Sequence, residues 1–89
     1  MIMEILPSSY FSRKYKKFVK KHPQLSSKID QKLELFRTDQ NHPSLRLHKL
    51  SAKNAEVWSI SISTEIRVLF TYTSGGVILI DVGSHDEVY

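Results

Sequence analysis

The chain has 89 residues, 40% of them hydrophobic and 25% charged, with no cysteine and a formal net charge of +4. That length holds one domain, 1–89, with a single core that buries about 60 to 65% of the unfolded surface. No stretch is long and apolar enough to be a membrane span, and the missing cysteines exclude a disulfide framework, a thiolate nucleophile and a cysteine zinc site.

Met1 to Leu6 is too short for a signal peptide and lacks a basic start, so the expected compartment is the cytoplasm, with no membrane partner. Ile2 to Leu6 is predicted as the first strand, ended by Pro7. Ser8 or Ser9 caps the helix that follows, in which Phe11, Tyr15, Phe18 and Val19 recur at helical spacing. Arg13, Lys14, Lys16, Lys17, Lys20 and Lys21 cover the rest of that helix. Clustered cations attract phosphate regardless of base sequence, which makes Arg13, Lys14, Lys17, Lys20 and Lys21 candidate RNA contacts. The competing reading is a merely solvated face.

His22-Pro23 stops the first helix. Leu25, Ile29, Leu33 and Phe36 then recur at spacings of a second helix, about Gln24 to Arg37, which forms a hairpin with the first and has outer positions of mixed charge. Thr38 to Pro43 is a polar connection. Leu45 to Leu50 is a short approach to the sheet that carries Arg46, His48 and Lys49, and Ser51 to Ala55 reads as a loop.

Three strands close the chain. Glu56 to Ile62 sends Trp58, Ile60 and Ile62 to one face, and Ile66 to Tyr72 does the same with Ile66, Val68, Phe70 and Tyr72. If the apolar sets share a face, Ile62 pairs with Ile66 and Ser61 with Arg67. In Val77 to Gly83, alternation assigns Ile78, Ile80 and Val82 to the buried face and places Gly83 near Arg67, with His85 on the same side. Arg67 then stands on an open face floored by serine and glycine, beside exposed Val57, Leu69, Val77 and Leu79. The predicted fold is α+β: an N-terminal strand, a helical hairpin, then a three-stranded antiparallel meander completing one sheet with helices on one face.

Arg67, His48 and His85 carry the chemistry available on that face, with Arg46 and Lys49 as further cations. Cleaving RNA by attack of the 2′-hydroxyl needs a base for that hydroxyl, an acid for the leaving oxygen and a cation for the charge on the phosphorane. Histidine and arginine supply all three without metal or cofactor, and the four histidines (His22, His42, His48, His85) are scattered with no carboxylate cluster to complete a metal site. The bland readings pair Arg67 with Asp81, leave His48 as a loop histidine and leave Asp86 and Glu87 solvated. Tyr89 either stacks on a base or closes the core edge.

Across nearly its whole length the chain resembles the RelE/ParE superfamily of type II toxins, particularly the RelE and YafQ-like messenger-RNA interferases. The resemblance rests on the initial strand, the basic hairpin, His-Pro-Ser-Leu-Arg-Leu-His-Lys-Leu at 42–50, Trp58-Ser59-Ile60, Ile66-Arg67-Val68-Leu69-Phe70 and the closing Val82-Gly83-Ser84-His85-Asp86-Glu87-Val88-Tyr89. It implies a RelE-like fold and a metal-independent endoribonuclease that cuts messenger RNA in the ribosomal A site. It also implies a cognate antitoxin as partner, with oligomers formed only through that antitoxin. By the same resemblance Arg67 holds the scissile phosphate, His85 is a general acid or base, His48 matches the histidine before the second strand, and Tyr89 matches a terminal aromatic. The chain departs from the family pattern at Asp81 and Val82, where a second arginine is expected, at Ser61, where another histidine is expected, and in an expected lack of a C-terminal helix. ParE relatives share the fold and poison DNA gyrase, so a non-catalytic gyrase inhibitor or RNA-binding inhibitor of translation is the alternative.

Overall fold

The computed structural model describes residues 3–50 and 56–88. Met1 and Ile2 of the predicted first strand, the predicted loop at 51–55, Tyr89 and the side chain of Glu87 lie outside the described residues. Chain order is β1 (Glu4–Pro7), α1 (Ser9–Lys21), α2 (Pro23–Thr38), a 3₁₀ turn (Pro43–Leu45), β2 (His48–Lys49), β3 (Trp58–Ser61), β4 (Ile66–Tyr72), β5 (Gly76–Ser84) and α3 (His85–Val88).

Local chemistry accounts for the helix ends. Ser8 accepts the Phe11 backbone N–H through its Oγ at 3.0 Å, which satisfies one of the orphan donors at the start of α1 and is worth about 1 kcal/mol. His22 closes α1 through its own N–H to the Phe18 carbonyl at 2.9 Å, and Pro23 opens α2 at the position where a missing N–H costs nothing. The two helices are therefore joined at a single residue. Tyr15 and Ser26 meet through their hydroxyls at 3.3 Å across the hairpin.

The sheet runs in the order β1-β5-β4-β3-β2, with β1 parallel to β5 and every other pair antiparallel. This is the predicted α+β layer with one addition: the segment read as an approach to the sheet joins it as the edge strand β2, with His48 opposite Ser59. β1 pairs closely with β5. A Cβ added to Gly76 would meet the Glu4 carbonyl oxygen at 1.9 Å, so only glycine lets the two backbones come together at that position.

Phe11 of α1, Ile29 and Phe36 of α2, Leu45 and the inward residues of β3, β4 and β5 form the core. Phe36 and Phe70 stack obliquely, 4.8 Å between ring centroids, and tie α2 to the central strand. On β3 and β4 the predicted alternation holds as far as Phe70: Ile60, Val68 and Phe70 are fully buried and Trp58 packs against the core edge on Tyr72, but Tyr72, expected in the buried set, is exposed at the strand end.

On β5 the alternation fails. Leu69 pairs with Asp81 but Phe70 pairs with Leu79, so Ile80 is an extra residue and the parity of the strand reverses there. Val77 and Leu79, expected on the open face, are core residues 1% and 3% exposed, whereas Ile78 and Ile80 are only half-buried. Leu69 is also covered, at 6%. The apolar patch expected beside Arg67 therefore does not exist as such.

Candidate functional site

The register of β3, β4 and β5 places Arg67 between Ser61 on one side and Gly83 on the other, both directly opposite it. These are the pairings that the sequence pattern predicts. Facing residues of an antiparallel pair project to the same side, so Ser61, Arg67 and Gly83 form one row across the sheet. Two residues away, Ser59 links that row to His48 on β2. The Arg67 guanidinium reaches along the face and donates from Nη1 to Ser59 Oγ at 3.4 Å. His48 lies two strand spacings away and two residues along, a diagonal of about 12 Å from Arg67, and the Arg67 side chain closes part of the gap.

This face is less open than the alternation implies. Ser59 and Ser61 are buried, at 0% and 6% exposure, and Gly83 is buried beside them, while Arg67 itself is half-buried. Arg67 lying over Ser59 is one cause. Beyond β5 lies α3, a helical turn where no C-terminal helix was expected, which packs against β4 and β5.

His48 is exposed, and its Nδ1 lies 3.4 Å from the Arg46 carbonyl oxygen. A carbonyl only accepts, so this contact selects the tautomer that carries its proton on Nδ1 and places the lone pair of the neutral ring on Nε2. His85 does not continue the strand. It opens α3, its backbone N–H donates to the Glu65 carbonyl at 3.1 Å, and its exposed ring has Nδ1 3.8 Å from Asp86 Oδ1. His85 thus stands at the end of the sheet where the β3–β4 turn returns, one position beyond the Ile66–Ser84 pair. Tyr89, the fourth catalytic candidate, lies outside the described residues.

The cations divide into groups with different surroundings. Lys14 is engaged with Asp81, Nζ to Oδ1 at 2.5 Å, and Asp81 also accepts the Val82 N–H at 2.8 Å. Asp81, the residue suggested as a structural partner for Arg67, is thus held by α1. Arg13, Lys17, Lys20 and Lys21 are exposed, and Lys17, Lys20 and Lys21 line a shallow cleft of about 420 Å³ around Phe18 and His22. Lys49 has Glu56 at 3.8 Å, both well exposed, a contact of little energetic weight. Arg46 ends the 3₁₀ turn in the left-handed region, φ 47° and ψ 47°. Two cations without any sequence motif, Lys28 and Lys32 of α2, stand beside it; their spacing of four residues on one helix face was the available signal.

Among the described residues, no group of three His, Asp or Glu side chains is arranged to hold a metal ion, and no helix is long and apolar enough to cross a membrane.

No protein-family model matches the chain, and no curated protein matches it. Solved structures do. A chain of the E. coli DinJ–YafQ toxin–antitoxin complex aligns with a TM-score of 0.80 at 13% identity, covering 100% of this chain and 99% of that one. A copper-bound mutant toxin from Helicobacter pylori gives 0.78 at 18% identity over 99% and 100% of the two chains. The YoeB dimer from Staphylococcus aureus gives 0.71 at 21% identity over 96% and 99%. The class of architecture shared with these structures is thus a small α+β layer, one mixed sheet with a helical hairpin packed on it. More narrowly, the fold is that of the RelE/YafQ-like toxins. Identities this low carry the fold and leave the reaction to be argued from the site.

Proposed function

We propose that the chain is the toxin of a type II toxin–antitoxin pair, an endoribonuclease that cleaves messenger RNA in the ribosomal A site. The observation that carries this reading is the row Ser61–Arg67–Gly83, with the Arg67 guanidinium turned over Ser59 toward the strand that bears His48. Arg67 is a permanent cation on a floor of small residues, which leaves room for a phosphate against the sheet.

The reaction follows from what each group can do. His48, with its lone pair on Nε2, takes the proton of the 2′-hydroxyl as that oxygen attacks the neighbouring phosphorus. The guanidinium of Arg67 balances the charge that builds on the phosphoryl oxygens, an interaction stronger in the transition state than before it. His85, two residues beyond Gly83 at the start of α3, delivers a proton to the departing 5′-oxygen. Tyr89 is assigned to stacking on a base or to a share of the proton transfer on the strength of the family resemblance alone. No step requires a metal ion or cofactor. Arg13, Lys17, Lys20, Lys21, Arg46 and Lys49 supply attraction to RNA phosphates, while Lys14, a candidate from the sequence, is taken up by its ion pair with Asp81. The compartment is the cytoplasm, where ribosomes and message are.

The DinJ–YafQ complex pairs a toxin of this fold with an antitoxin, and that precedent supports a cognate antitoxin here as well. Primer extension on messenger RNA from cells induced to make the chain tests the reading. New 5′ ends within translated codons, with translation arrested, are the expected result. Intact messages with an SOS response would replace it by gyrase poisoning, and intact messages with arrested translation by a non-catalytic RNA-site inhibitor.

A further inference from the structure

A cleft of about 250 Å³ lies at the end of the sheet where β3 turns into β4, walled by cations from two elements far apart in sequence. Lys28 and Lys32 come from α2 and Arg46 from the 3₁₀ turn, and the hydroxyls of Ser44, Ser61 and Ser63 line the space between. No carboxylate is among the described residues lining it. Three like charges around one small polar cleft repel one another unless an anion lies between them.

The walls are organised. Lys32 Nζ donates to Ser44 Oγ at 3.0 Å, and Ser44 is itself anchored on His42, whose Nδ1 accepts the Ser44 backbone N–H at 3.2 Å and lies 2.9 Å from Ser44 Oγ. An ammonium group has three donors, so Ser44 leaves two for a ligand. Ser63 Oγ accepts the Ile66 N–H at 3.2 Å, which leaves its own proton to donate. Arg46 is a non-glycine residue held at positive φ, a conformation that glycine would adopt without cost. The backbone itself holds that cap, with the Arg46 N–H donating to the Pro43 carbonyl at 3.2 Å, so the side chain is not what fixes the conformation.

The geometry points to a phosphodiester-binding subsite: Lys28, Lys32 and Arg46 take a backbone phosphate of the same RNA strand whose neighbouring phosphate lies on Arg67. Ser61 makes the connection, since it lines the cleft and is the residue directly opposite Arg67. This inference rests on the proposed nuclease reading for the second phosphate only; the cleft's preference for a phosphodiester stands without cleavage.

The test uses the full chain, ¹⁵N-labelled, and a short single-stranded 2′-O-methyl oligoribonucleotide, which cannot be cut by 2′-hydroxyl attack. The expected result is that the amides of Ser44, Arg46, Ser61 and Ser63 shift on titration and saturate at far lower concentration than with inorganic phosphate. Lys28→Gln/Lys32→Gln/Arg46→Gln should weaken binding about tenfold or more and lower the slope of log K against log salt by about 0.7, the value for one single-strand phosphate contact. Arg46→Gly separates a binding role from a structural one: it should weaken binding while the thermal midpoint stays equal or rises. An unchanged salt slope in the triple variant with an intact spectrum would overturn the subsite, as would shifts confined to α1. Equal saturation by inorganic phosphate would reduce it to an anion site with no claim on RNA. Loss of cleavage in Arg67→Ala with the cleft shifts retained keeps the subsite, so failure of the nuclease reading and failure of this one look different.

Discussion

Lys14 on α1 and Asp81 on β5, 67 residues apart in the chain, form an ion pair at 2.5 Å with side chains only 25% and 18% exposed. The pair clips the basic helix to the strand at the edge of the β5 bulge. It also commits one cation of the α1 run to the protein itself.

Lys14→Ala leaves the Asp81 carboxylate with the Val82 N–H as its remaining described donor. Losing a hydrogen bond between charged, mostly covered groups should cost about 1.5 to 3 kcal/mol in urea unfolding. The same substitution should leave the salt dependence of RNA binding nearly unchanged, whereas Lys17→Gln, at an exposed position, should lower the slope by about 0.7. A stable Lys14→Ala protein with a reduced slope would show that the pair opens readily and that Lys14 belongs with the RNA contacts.

The bulge at Ile80 makes a second prediction, because it inverts which residues of β5 are buried. Leu79→Ala should cost about 2 to 4 kcal/mol, the range for emptying a core site, and Ile80→Ala about 1 kcal/mol. Simple alternation along the strand demands the reverse order. Equilibrium unfolding of the two variants decides between them.

For the proposed chemistry, Arg67→Ala should fold and cut message about 10² to 10³-fold more slowly, the scale for one preorganised donor to a developing charge. His85→Gln keeps a hydrogen-bonding side chain but cannot cycle a proton. It should bind ribosomes as the unaltered chain does and cleave about 10² to 10⁴-fold more slowly in single turnover. Matching rates would make His85 a rim residue and move the acid to Tyr89 or the ribosome.

Tyr72 gives a stability prediction at alkaline pH. Its phenol donates to Gln40 Oε1 at 2.9 Å, and burial pushes its pKa above the ordinary 10.0 because the phenolate loses hydration. In the unfolded chain this phenol ionises first as pH rises, so the native state binds more protons above pH 10 and stability falls there. Tyr72→Phe should flatten that fall, with only a small loss at neutral pH. Identical alkaline limbs for the two proteins would show that Tyr72 does not contribute to it.

Much of the architecture was legible in the sequence. Helix periodicity in Phe11–Val19 and Leu25–Phe36, the break at His22-Pro23 and the period-two pattern of β3 and β4 are local properties, and local sterics and burial suffice to produce them. Register followed too: pairing Ser61 with Arg67 needs only that Ile60, Ile62, Ile66 and Val68 share a core, because a slip of one residue would expose all of them. Of the candidate site, the pairing that sets Arg67 between Ser61 and Gly83 was readable for the same reason.

What the tertiary structure decided lies where the pattern is interrupted or where distant segments meet. A bulge adds one residue, and no local preference of Val-Ile-Leu-Ile-Asp-Val marks which; packing against the helices chose Val77 and Leu79 for the core. His85 left the strand for a helical turn, so parity could not aim its ring. The partner of Asp81 came from α1 rather than from its own sheet, and the cleft of Lys28, Lys32 and Arg46 exists only because α2 and the 3₁₀ turn converge on the β3–β4 end. Those contacts depend on how separate elements dock, and docking is a property of the whole core, to which no single stretch of sequence gives access.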